Sequence, residues 1–151
     1  MNSTNASAEV QNQKPLSPEE FDQAFVIFDS FITQHRERQK PAGPYVLSLS
    51  FNWNRPLPDT FLSRFKNCGY QVFSYSKLKS FPTEKTFFII NGEKYLAHMI
   101  NIKSITKTGY GRSMTVVEAG TIVIGNEFEA TLIRRFWKWR VEKVEITLFI
   151  D

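Results

Sequence analysis

Few residues in this chain are equipped for covalent or acid–base chemistry, and they stand far apart. The two histidines are His35, in Gln34-His35-Arg36-Glu37-Arg38, and His98, beside Met99. An imidazole can take up and return a proton near neutral pH, but as a catalyst it needs an acid or nucleophile to orient it or receive from it. No sequence neighbour gives His98 such a partner, and His35 lies in a charged run that reads as a solvated face. His98 is therefore read as structural, and a small enzyme with its site near His98 is the weakest of three functional expectations. No two-histidine metal spacing occurs, and the single Cys68 rules out an internal disulfide framework or a Cys-based metal cluster. No metal or cofactor is expected. Cys68 precedes Gly69 near the end of a short helix, where the negative end of the dipole disfavours a thiolate, so it reads as a packed thiol. Gly-x-Ser-x-Gly is absent, and the spacing of Glu93, Glu118 and Glu129 gives no reason to bring any two together.

Cationic and aromatic residues are far better supplied. In Arg134-Arg135-Phe136-Trp137-Lys138-Trp139-Arg140 the arginines and lysine can contact phosphates, and a Trp not used by the core, Trp139, can stack on a base. In Lys107-Thr108-Gly109-Tyr110-Gly111-Arg112-Ser113 two glycines let backbone N–H groups approach an anion, with Lys107 and Arg112 adding charge. The Walker spacing is missing, and an ordinary glycine turn or a solvated basic face competes with each reading. Lys107, Arg112, Arg134, Arg135, Lys138, Trp139 and Arg140 together form the candidate set for an anionic partner, either single-stranded nucleic acid or an acidic protein surface.

Charge distribution points the same way. Residues 1–44 hold 4 Lys/Arg against 6 Asp/Glu, whereas residues 45–151 hold 15 against 9, within a net charge of +4. The basic excess favours anionic partners without naming one. Aromatic residues make up 15% of the chain, a share that suits a large core and equally a protein-assembly module, by homo-oligomerisation or docking, which is the alternative class. None of the nucleic-acid signatures, including the aromatic RNP1 consensus, is present. No apolar run is long enough to span a bilayer, so no membrane is expected, and lone-cysteine usage suggests a reducing, cytoplasmic setting.

These side chains must be positioned by a small set of elements. Residues 1–15 are too polar to bury and read as a disordered tail, leaving residues 16–151 as a single domain. Ser17-Pro18-Glu19-Glu20 is a strong helix start, and Phe21, Ala24, Phe25, Phe28, Phe31 and Ile32 continue on one face until about Lys40. Alternation from Tyr45 to Trp53 predicts a half-buried strand. Pro58-Asp59 opens a short helix with Phe61, Leu62 and Phe65, and a strand follows over 70–78, giving a βαβ unit. Asn91-Gly92 marks a type I′ hairpin whose second arm can run on through Ile100, Ile102 and Ile105. A loop follows over 106–113, then one strand with a bulge, or two strands, over 114–124. Asn126 to Arg140 predicts a helix, with Asn126 and Glu129 as a capping box and Phe128, Leu132, Ile133, Phe136 and Trp137 as its buried stripe. Val144 to Ile150 alternates as a final strand. This order predicts an α+β fold: a ferredoxin-like (split βαβ) sandwich with an extra N-terminal helix and an inserted β-hairpin.

Overall fold

A computed structural model describes residues 15–38, 45–52, 55, 57–77, 87–120 and 125–150. Apart from Pro15, the expected N-terminal tail lies outside these residues, as do Trp53 and the stretches 39–44, 78–86 and 121–124. The chain opens with α1 (Pro18–Arg38), whose start is a complete capping box. The Ser17 amide donates to Glu20 Oε1 at 3.0 Å, and the Glu20 amide donates to Ser17 Oγ at 3.2 Å. Two otherwise orphaned N–H groups are thereby satisfied. Ala24, Ile27, Phe28, Phe31 and Ile32, at helical spacing, are all buried against one face of a sheet.

Next come β1 (Tyr45–Phe51), a short helix α2 (Asp59–Leu62) continued by a 3-10 turn, and β2 (Gln71–Ser74), which pairs parallel to β1. The expected βαβ unit is therefore present. Phe61 and Phe65 from its crossover meet Phe21, Phe25 and Phe28 of α1 at ring separations of 5.1–6.2 Å, gathering five of the 14 phenylalanines in one cluster. Asn91 and Gly92, both at positive φ, join β3 (Phe87–Ile90) to β4 (Glu93–Gly109), a 17-residue strand. From there β4, β5 (Arg112–Gly120), β6 (Gly125–Arg135) and β7 (Lys138–Ile150) form an antiparallel meander. Sheet order is β2-β1-β4-β5-β6-β7, with β3 also on β4.

One row of side chains crosses the face opposite α1. Ser50, Asn101, Glu118 and Glu127 are register partners on successive strands. Ser50 Oγ donates to Asn101 Oδ1 at 2.8 Å, and Asn101 Nδ2 donates to Glu118 Oε1 at 3.3 Å. A one-residue slip would break these bonds and turn Leu49, Ile100 and Val117 out of the core, so the row pins the register.

This is a mixed seven-stranded sheet with one long helix across a face, and the ferredoxin-like expectation is wrong. That fold needs a second βαβ half, and the helix expected over 126–140 does not exist. The segment is β6, a turn at Phe136-Trp137 and the start of β7. Phe128, Leu132 and Phe136 stand four apart, a spacing that suits one helix face and one strand face equally. Ala130 and the hairpin decide the matter. Ala130 is fully buried on the same face as Phe128 and Leu132, and Asn126 pairs with Phe149 instead of capping a helix. The expected loop over 106–113 also shrinks, because β4 runs to Gly109 and β5 begins at Arg112.

Candidate functional site

The β4–β5 and β6–β7 hairpins end side by side, and their tips carry the most exposed large hydrophobic side chains among the described residues. Tyr110 is 92% exposed, Phe136 90% and Trp137 92%. The tips are tied together where the Arg134 amide donates to the Gly111 carbonyl at 2.9 Å. Tyr110, Gly111, Arg134, Phe136 and Trp137 enclose an open hollow of about 320 Å³.

The β6–β7 turn is chemically unusual. Arg135 pairs with Lys138, so Phe136 and Trp137 are the two central residues, with φ of 52° and 69°. A two-residue hairpin loop with both φ values positive belongs to Asn and Gly, because a Cβ in this region crowds the backbone. Among the described residues, Asn91-Gly92 forms another loop of this kind, with φ of 52° and 82°. At Phe136-Trp137 two large rings are instead held in a strained conformation and in water.

Cations surround these tips, although the helix face expected to present them is absent. Strand alternation distributes them over both sides of the sheet. Lys107, Arg134 and Trp139 point to the α1 side: Lys107 pairs with the buried Ser113, and Arg134 with Trp139. Arg112, Arg135, Lys138 and Arg140 belong to the opposite side, where Arg112 and Arg140 flank Ile133 in one row. The Arg134 guanidinium lies 5.8 Å from the Tyr110 ring centre and 5.6 Å from that of Trp139, linking tip to sheet by two cation–π contacts. Two acids pair with these cations: Glu19 lies 3.9 Å from Arg134, and Glu142 lies 3.9 Å from Arg112. Among the described residues, Lys107, Arg135, Lys138 and Arg140 form no ion pair. Behind Arg134 a second hollow of about 340 Å³ reaches Glu19, Gln23, Lys107 and Trp139. There Gln23 Nε2 donates to Ser113 Oγ at 3.0 Å in a buried bond that fastens α1 to β5.

The candidate cations fall around the two tips on both sides of the sheet, and the aromatics lie elsewhere than the helical stripe implied. Phe136 and Trp137, assigned to a buried stripe, are the apex, while Trp139, offered as a free stacking ring, is half-buried and covered by Arg134. The available signal was alternation on both sides of Phe136-Trp137, which reads as strand, turn and strand.

His98 and His35 do meet. Their rings stack at 4.2 Å beside a small hollow of about 180 Å³ lined by Phe31, Gln34, Ala119, Asn126 and Phe128. Burial, with His35 adding to it, pushes the His98 pKa down to about 4, and burial lowers that of His35. Among the described residues, no acid or nucleophile lines this hollow. Glu118 lies opposite Glu127 across β5 and β6. Lys103 bonds Glu127 at 3.0 Å and its pKa is raised, first by that bond and then by the charges of Glu127 and Glu118, which reads as a salt-bridged ladder. Cys68 is part-buried, its thiol 3.5 Å from the Tyr70 carbonyl. Among the described residues no cluster of three His, Cys, Asp or Glu is arranged to hold a metal ion, and no helix is long and apolar enough to cross a membrane. No protein-family model, curated protein or solved structure matches the chain.

Proposed function

We propose that this chain is a non-enzymatic binding module that engages an anionic partner through the hairpin end of its sheet. One observation carries the reading: Tyr110, Phe136 and Trp137 stand exposed at a shared apex, two of them in strained backbone, amid six cations and two loosely held acids. Backbone strain persists where surrounding structure enforces it, and it gathers at sites of function. Exposed rings contribute apolar contact, and the cations contribute charge complementarity and fast encounter.

The test is a binding titration of labelled single-stranded RNA, single-stranded DNA, an acidic peptide and anionic vesicles at low and high salt. Affinity for at least one of them should fall as salt rises, and Arg134→Glu/Arg135→Glu should abolish it. Affinity that ignored both salt and charge reversal would refute the reading.

Assembly with a further protein chain is a second reading, favoured by the 13-residue β7 at one edge of the sheet. An edge strand offers backbone groups for pairing, although Lys143 and Glu145 on β7 oppose flat association. Light scattering over a concentration series distinguishes the two, since assembly predicts a mass that grows with concentration.

A further inference from the structure

We infer that the partner is an anionic lipid surface, met end-on, with Phe136, Trp137 and Tyr110 entering the interface and the surrounding cations resting on headgroups. The inference rests on the anion-binding reading above and narrows it to one kind of partner.

The arrangement of charge favours a plane over a strand. Lys107 and Arg134 lie on one side of the sheet, and Arg112, Arg135, Lys138 and Arg140 on the other, with the exposed rings of Tyr110, Phe136 and Trp137 at the turns. A single strand of nucleic acid lying along either side would reach only part of this set. On the α1 side stacking would be limited to Tyr110, which lies against Arg134, because Trp139 is half-buried under the same guanidinium. A flat surface approached apex first meets the exposed rings and then cations from both sides.

The depths agree. Strand residues rise about 3.3 Å each, so Arg135 and Lys138 sit within one step of the apex, Arg140 about 10 Å behind it and Lys107, level with Leu132, about 13 Å behind it. The apolar faces of helices that lie on membranes enter the headgroup boundary by about 5–10 Å, and a hairpin apex of exposed rings is taken to reach a similar depth. The nearer cations are then at headgroup level, and the farther ones lie within about one Debye length of it. Trp and Tyr are the residues favoured at that boundary, where an apolar ring and a polar handle are both accommodated. Attachment of this kind requires no membrane-crossing helix, so it is compatible with the absence of an apolar spanning run.

Vesicle co-sedimentation tests the inference. The protein should bind phosphatidylcholine vesicles containing phosphatidylserine and leave those of phosphatidylcholine alone. Its tryptophan emission should shift to the blue on binding, and that shift should vanish in Trp137→Ala. Phe136→Ala/Trp137→Ala should weaken binding roughly a hundredfold, since burying each ring is worth about tenfold or more. Arg134→Glu/Arg135→Glu should weaken it several-hundredfold, at about fivefold per unit charge. Trp137→Phe should retain most of the affinity. All these side chains except Arg134 are largely exposed, so circular dichroism and urea unfolding should report an intact fold. Vesicle binding that survives loss of both rings overturns the inference. So does salt-dependent binding of RNA or acidic peptide through Arg134 and Arg135 with no vesicle binding, an outcome that leaves the anion-binding reading standing. Failure to bind any of these anions overturns both.

Discussion

Replacing Phe136-Trp137 by Asn-Gly should make this protein more stable while removing its docking apex. The two residues hold φ of 52° and 69°, where an L side chain costs roughly 1–2 kcal/mol. At 90% and 92% exposure their rings contribute almost no packing to lose. Asn tolerates this region and Gly is free in it, although Gly returns roughly 0.5–1 kcal/mol through a more mobile unfolded chain. The balance is a gain of about 1–3 kcal/mol, with the Asn91-Gly92 loop as an internal precedent for the geometry. Urea unfolding should show a higher midpoint at unchanged slope, and the melting temperature should rise by about 2–4 °C per kcal/mol in a chain of this size. Unchanged or lower stability would mean that the rings are packed or the turn relaxed, and the case for a strained functional tip would fail. A gain joined to lost vesicle binding would be a trade of stability for function at one dipeptide.

Other perturbations test the scaffold. Both histidine pKa values are lowered in the fold, so the unfolded chain binds more protons. Stability is complete above pH 6.5 and is lost as pH falls from there toward about 4, at up to about 1.4 kcal/mol per unit from His98 alone, and His98→Gln should flatten that slope between pH 6.5 and 5 in urea titrations. Gln23→Ala leaves Ser113 without its buried donor and should cost about 1–3 kcal/mol in the same assay; a cost near zero would show that the bond does not fasten α1. Phe28→Ala empties a fully buried site between α1 and the crossover and should cost about 3–5 kcal/mol, whereas a loss below 1 kcal/mol would contradict that packing.

Local chemistry made some elements legible. Ser17 and Glu20 announced α1, Asn91-Gly92 announced the β3–β4 hairpin, and the alternation of Tyr45 to Trp53 announced β1, because each signal is settled by groups close in sequence. The region from Asn126 to Arg140 was misread because residues four apart share a face in either structure, and Ala130 is too small to disclose which. Six cations of the candidate site were readable as charge. Their division between two sides of a sheet was not, since it depends on the pairings of Lys107 with Ser113 and of Ile133 with Arg140. The Phe136-Trp137 apex was hidden by propensity itself: no intrinsic preference places two bulky rings at positive φ.

The 17-residue β4 carries β1 along one flank and β3 followed by β5 along the other. Its bonds toward the C-terminus close short loops, whereas the parallel seam with β1 joins partners such as Ser50 and Asn101, 51 residues apart. Chain closure over that span costs entropy before any contact repays it, so the meander from β4 to β7 gains order first and the amino-terminal half completes the structure by settling onto it. Pulse-labelled hydrogen exchange should then protect amides of β5 and β6 before those of β1; simultaneous protection would show that the two halves are built together.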